Sequence, residues 1–254
     1  MKSETESIMK EIINCPNIDE YFNFKQKVNN CCEIISFQKV ISKNDFQIPE
    51  PWNGDIENAK ILVISSLNPG YSSEENYPIY KWDFENMKDF FTNRFKNEKY
   101  TKDFHPVSLN NGLLAVPQYW KEVNGLIRKL LENGFNLSNS PVAITEMVHC
   151  KSKKWSDLNS KENILKECCS KYLDKIISIC GNLRVLIGYG DAVEKYLKNR
   201  YNIKGNENVA QVPIENRDVY LVFLKQPGSN KIRIIEKVIS SEMLQKIRNY
   251  CKDS

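Results

Sequence analysis

Three short stretches of this 254-residue chain carry residue types, at positions, that suit chemistry on a bound molecule. In the first, Asn68-Pro69-Gly70-Tyr71 follows the aliphatic run Ile61–Ile64. Proline fixes φ and glycine accepts conformations closed to other residues, so the chain turns abruptly here. The turn is either an ordinary connection or a ligand loop, because open α/β sheets bind ligands beyond the carboxyl ends of their strands. In the second, Glu146 interrupts the apolar run Val142–Val148. A buried carboxylate is costly unless paired, and a residue that breaks the local rule marks a site. His149, Lys151 and Lys153 follow it, in a basic loop that is either solvated or set for phosphate contacts. The third stretch, Lys225-Gln226-Pro-Gly-Ser229-Asn230-Lys231, follows another apolar run, Asp218–Leu224. Aromatic residues Tyr71, Tyr77, Tyr80 and Trp82 cluster after the first stretch.

Cysteine chemistry is less decisive. The eight cysteines, at 15, 31, 32, 150, 168, 169, 180 and 251, show no C-x-x-C pairing of a zinc ribbon. In a reducing compartment they read as buried thiols, although the adjacent pairs Cys31-Cys32 and Cys168-Cys169 keep a metal cluster open.

The elements that must hold these stretches alternate between strands and helices. Ser3-x-x-Glu6 predicts a capped helix with Ile8, Met9, Ile12 and Ile13 on one face, and residues 1–45 read as a helical N-terminal extension. Residues 46–254 then form the main domain. Asp83 predicts a cap for a helix carrying Met87, Phe90, Phe91 and Phe95, and Pro117 opens another with Trp120, Val123, Ile127, Leu130 and Leu131. Residues 97–116 lack a period and read as a long loop. A long helix from about Glu162 to Cys180 precedes a third strand at Arg184–Gly190. Four apolar runs separated by helical segments predict a three-layer α/β/α sandwich around a mainly parallel, four-stranded sheet. Polar loops after the strands should gather on one edge of that sheet. No apolar run is long enough to span a bilayer and the amino terminus does not read as a signal peptide, so a cytoplasmic location is expected. The net charge of +4 permits nucleic-acid binding without demanding it.

In this order the features resemble the uracil-DNA glycosylase superfamily, over roughly residues 58–250. Leu67-Asn-Pro-Gly-Tyr71 looks like the water-positioning motif, in the version of the mismatch-specific glycosylases. Ile144-Thr-Glu-Met-Val-His-Cys150 is similar to the Ile-Thr-Asn-x-Val-Lys-Cys segment of the thermostable branch, whose asparagine reads the uracil edge. Cys169-Ser-Lys-Tyr-Leu173 and Arg184–Ala192 resemble that branch's C-x-x-[FY]-L helix and following strand. Gln226-Pro-Gly-Ser229 stands where the family has His-Pro-Ser, the loop that enters the minor groove. The resemblance implies a glycosylase that hydrolyses the N-glycosidic bond of a flipped-out base in DNA. Asn68 would place the water, Pro69 and Gly70 would shape the pocket floor, and Tyr71, Tyr77, Tyr80 or Trp82 would stack on the base. Glu146 and His149 would line the pocket, while Lys151, Lys153, Lys225, Ser229, Asn230 and Lys231 would hold DNA.

Two departures from the family pattern matter. Gln226 replaces a histidine that supports the departing base, which favours a catalytically silent, nucleic-acid-binding relative as the alternative. A third reading is an α/β enzyme for a small phosphorylated substrate. Glu146 replaces the base-reading amide, and an ionised carboxylate only accepts hydrogen bonds. It would accept from a cytosine amine, which implies a modified cytosine as substrate, as in phage DNA, and a role in antiviral defence. The thermostable branch also binds an iron–sulfur cluster through four cysteines. Cys150 and Cys169 match two of them, Cys31-Cys32 stands in place of the other C-x-x-C, and Cys15 could substitute for one. With that pattern incomplete, the expectation is a colourless protein without a cofactor.

Overall fold

The computed structural model describes residues 3–24, 29–65, 69–73, 76–102, 105–106, 108–110, 113–132, 134–152, 158–159, 161–225 and 235–252. The aliphatic runs form strands because residues such as Ile61–Ile64 can be buried on both faces of a sheet. In chain order these are β1 (Ile61–Ser65), two short antiparallel ribbons, β2 (Thr101–Lys102) with β3 (His105–Pro106) and β4 (Ser108–Asn110) with β5 (Leu113–Ala115), then β6 (Val142–Glu146), β7 (Val185–Tyr189), β8 (Val209–Ile214) and β9 (Arg217–Leu224). The main sheet has five strands in the order β6-β1-β7-β9-β8, and only β8 is antiparallel to its neighbour.

This is the expected α/β sandwich with one strand more than the four expected. Pro213 in β8 argues against a strand, but β8 lies at the sheet edge and pairs only with β9, so a missing N–H costs little there. The expected long loop at 97–116 carries the two ribbons.

Alternate strand residues sort the core into two layers. Leu62, Ile64, Ala143, Leu186 and Leu221 face one side. There they meet α1 (Glu4–Ile13), α2 (Pro16–Phe24), α3 (Cys32–Ser36), α4 (Phe84–Thr92) and the rod of α6 (Lys161–Cys168), a π-helical turn (Cys169–Leu173) and α7 (Asp174–Ile179). The helix α8 (Asp191–Arg200) completes that layer with Val193 and Leu197. Ile61, Val63, Ile144, Ile187 and Val222 face α5 (Gln118–Leu131), α9 (Ile235–Val238) and α10 (Ser241–Lys252) on the other side. The caps read from sequence are formed: Ser3 Oγ accepts from Glu6 N at 3.2 Å and Asp83 Oδ1 from Asn86 N at 2.8 Å. Ile8, Met9, Ile12, Ile18, Ile34 and Ile35 belong to one buried cluster with Leu62 and Ile64, so the N-terminal helices share the core of the sheet.

A short rib runs along the free side of β6. Asn53 exchanges both backbone hydrogen bonds with Ile144, at 2.7 and 2.9 Å, and Glu50 N donates to His149 O at 2.9 Å. Gly54 turns the chain away from this rib at a φ of +97°, where a Cβ would lie 2.6 Å from Val142 O and 2.9 Å from the Phe95 ring. Gly54→Ala combines left-handed strain with a backbone clash. It should cost at least about 2 kcal/mol, or a melting temperature lower by roughly 5 °C. Thermal denaturation checks this, and an unchanged Tm would mean that the rib moves freely.

Candidate active site

Parallel pairing sets the carboxyl ends of four strands level. Ser65 pairs with both Glu146 and Tyr189, and Tyr189 pairs with Leu224. The segments that leave β1 and β6 are then laced together: Ser152 N donates to Pro69 O at 3.0 Å and Tyr71 N to Ser152 O at 3.2 Å. Glu146 and the Pro69–Tyr71 turn therefore share one edge. Asn68, Gln226, Lys153, Ser229, Asn230 and Lys231 lie outside the described residues.

Glu146 shares the strand face of Val142 and Ile144, towards α5, and it is only 7% exposed. Its Oε2, the Ser65 hydroxyl and the Tyr119 hydroxyl are all buried, and none completes a hydrogen bond of ordinary geometry. Buried polar groups in proteins are nearly always paired, so three such groups together are groups that a ligand can satisfy. Burial holds the Glu146 carboxyl well above the usual range, and the charge of Glu50 pushes it further. The Ser65 and Tyr119 hydroxyls pull it down without cancelling this. Tyr119 is raised in turn, first by burial and then by Glu146.

Burial thus favours the neutral acid of Glu146, which has one donor and one acceptor. That form is not limited to accepting, as the ionised carboxylate is. A carboxylic acid can donate to cytosine N3 while accepting from its amine, or donate to uracil O4 while accepting from N3–H. A protonated Glu146 is therefore complementary to a pyrimidine edge of either kind.

Other expected site residues stand elsewhere. Tyr77 is core, with its ring against Phe90 and Phe91 and its hydroxyl on Glu50 at 3.2 Å. Tyr80 is spent on Ile13 O and on packing against Phe46, and Trp82 meets Phe90 edge-on. None of the three is placed to stack on a base. Tyr71 is half-buried beside the candidate edge, with its hydroxyl on Gln38 O at 3.2 Å. Gly70 is exposed, and nothing lies within 4 Å of where its Cβ would be. His149 is 2% exposed, its Nδ1 lies 2.7 Å from Glu50 O, and burial lowers it to about 4. The carbonyl partner fixes the proton on Nδ1, so His149 is neutral and holds the rib.

The lysines also need correction. Lys151 is 2% exposed, with Nζ 3.6 Å above the Tyr77 ring, so it is an internal cation and not a phosphate contact. Lys225 bonds Asp191 at 2.6 Å and reaches Glu194 at 3.5 Å, acids that already balance its charge. The sequence reading missed Glu50, Ser65 and Tyr119. Glu50 could have been noticed as an acid between two prolines in a stretch otherwise suited to packing.

Four cysteines converge on the other side of β6. Asn17, two residues after Cys15, donates to Cys31 Sγ at 3.1 Å and to Glu167 Oε1 at 2.7 Å, beside Cys168. His149, beside Cys150, meets the Tyr172 ring at 5.6 Å. The thiols feel one another. Cys31 is pulled down by its hydrogen bond with Cys168 and by Asn17, whereas burial raises Cys15 and Cys150. Cys168 is raised, first by giving its hydrogen bond to Cys31. Cys169 is not among them: its thiol points to Met147 O at 3.7 Å, because the π turn begins there and separates the adjacent cysteines. Among the described residues no three His, Cys, Asp or Glu side chains close around a point that suits a single ion. Cys15, Cys31, Cys150 and Cys168 are four soft donors from four segments, the donor type of an iron–sulfur cluster. Cys169, which the resemblance matches to a cluster ligand, turns its thiol to Met147 O instead.

No protein-family model matches the chain, and no curated protein is significantly similar to it. Among the described residues no helix is long and apolar enough to cross a membrane.

Proposed function

We propose that the protein is a DNA glycosylase that hydrolyses the N-glycosidic bond of an extruded pyrimidine, with modified cytosine as the first substrate class to test. One observation supports this most. At the carboxyl edge of a parallel sheet, the buried Glu146 carboxyl, which burial shifts towards its neutral form, stands with the hydroxyls of Ser65 and Tyr119, and none of the three completes a hydrogen bond of ordinary geometry. Breaking the C1′–N bond sends its electron pair to the base and leaves cationic character on the sugar. A neutral acid on the base edge stabilises the departing anion, the task for which the family keeps a histidine where this chain has Gln226. Asn68 would place the water that adds to C1′. With Lys151 and Lys225 engaged within the protein, phosphate contacts fall to Lys153 and Lys231. The four thiols would hold an iron–sulfur cluster that pins α3, α6, the start of α2 (Pro16–Phe24) and the segment after β6; no step of hydrolysis passes through it.

The test is an abasic-site assay on oligonucleotides carrying cytosine, uracil and substituted cytosines, in single and double strands. Alkali-labile cleavage at a pyrimidine is expected. DNA binding with no abasic site on any of them would favour the catalytically silent relative.

A further inference from the structure

The rib along β6 brings a second carboxyl to the site. Glu50 is 6% exposed, and both its oxygens are engaged: Asn53 Nδ2 donates to Oε1 at 2.6 Å and the Tyr77 hydroxyl to Oε2 at 3.2 Å. The backbone fixes its place, through Glu50 N on His149 O and the Asn53–Ile144 pair that flanks Glu146 on β6. Thr145 Oγ1 adds a 2.8 Å bond to Pro51 O. Asn53 Oδ1 is buried without a partner, as is Glu146 Oε2.

We propose that Glu50 is the second carboxyl of this site, a positioning residue that works with Glu146 across the edge of β6. The two acids have opposite surroundings. Glu50 receives two hydrogen bonds, and the ring of its donor Tyr77 lies against Lys151 at 3.6 Å and Arg94 at 5.6 Å. Among the described residues, the groups acting on Glu146 are Glu50 from the rib, Ser65 from β1 and Tyr119 from α5. Tyr189 of β7 acts on Tyr119, and Glu122 of α5 acts on Tyr189. Burial, and then the like charge of Glu50, favour the protonated form of Glu146, the form that can donate to a base. Its catalytic use rests on the glycosylase reading, whereas the coupling of the two acids does not.

The experiment is a carboxyl carbon-13 titration of glutamate-labelled protein, with Glu146→Gln to assign the late-titrating resonance, beside the pH–rate profile. In Glu50→Gln that resonance should titrate lower by about one pH unit or more, since a like charge has gone. The alkaline limb of the rate profile should move the same way, because the acid ionises sooner. A folded Glu50→Gln with the resonance unmoved overturns the proposal. If that variant does not fold, the wild type decides. Coupled acids show each other's inflections, and two independent single-step curves overturn the pairing. A chain inactive on every base but coupled in its titration overturns the glycosylase reading and keeps the pair.

Discussion

Glu146→Gln is expected to slow base release by a hundredfold or more while leaving the protein folded and still able to bind DNA. Removal of a positioned general acid costs about 10²–10⁴ in rate. The amide nearly matches the neutral acid in size and keeps a donor and an acceptor, so the pocket should still recognise its base. Only the proton that can follow the departing electron pair is lost. Stability gives an independent sign. The folded Glu146 carboxyl is held well above its ordinary range by burial and by Glu50. Over that interval the native state therefore binds more protons than the unfolded chain. Stability is then fully present below the unfolded value and falls as pH rises through the native one. The glutamine variant has no such proton to lose, so its Tm should decline less as pH rises from the ordinary carboxylate range upward. Rates and Tm across pH for both proteins decide the matter. Full activity in Glu146→Gln would make Glu146 a base-reading residue that never hands over a proton. An equal alkaline decline would mean that the carboxyl is already ionised in the native protein.

What the sequence disclosed follows from the range over which each signal acts. Ile61–Ile64 and Val142–Val148 needed only local composition to read as buried strands, and Ser3 and Asp83 needed only three following residues to read as caps. Glu146 stood out because a carboxylate inside an apolar run contradicts its surroundings. Its favoured protonation state could not be read, because that depends first on burial in the folded chain and then on Glu50, 96 positions earlier. For the same reason Tyr77, Tyr80 and Lys151 looked like exposed ligand contacts. Aromatics and lysines near a strand end suit either role, and only the third dimension shows Tyr77 wedged between Phe90 and Lys151. Strand β8 was hidden by Pro213, whose cost depends on whether the strand has one neighbour or two.

The cysteines take this further, since two adjacent residues separate in role where the helix changes its winding. Cys168→Ser and Cys169→Ser should differ sharply. Protein purified without oxygen is expected to carry iron and acid-labile sulfide, with broad visible absorbance from thiolate-to-iron charge transfer. Cys168→Ser should lose most of that iron, because it removes the group that hydrogen-bonds Cys31 and shares its surroundings with Cys15 and Cys150. Binding energy of a group held only by the folded chain is folding energy. The Tm of Cys168→Ser should therefore fall by roughly 10 °C, from about 3 kcal/mol of lost stability. Cys169→Ser should keep the iron, since its thiol faces Met147 O at 3.7 Å, and should lose only the small cost of a buried hydroxyl in place of a thiol. Iron analysis of the two variants beside the wild type separates the cases. Equal loss in both would return Cys169 to the ligand set. An iron-free wild type, purified anaerobically with all four thiols open to alkylation once unfolded, would make the four cysteines packing groups only.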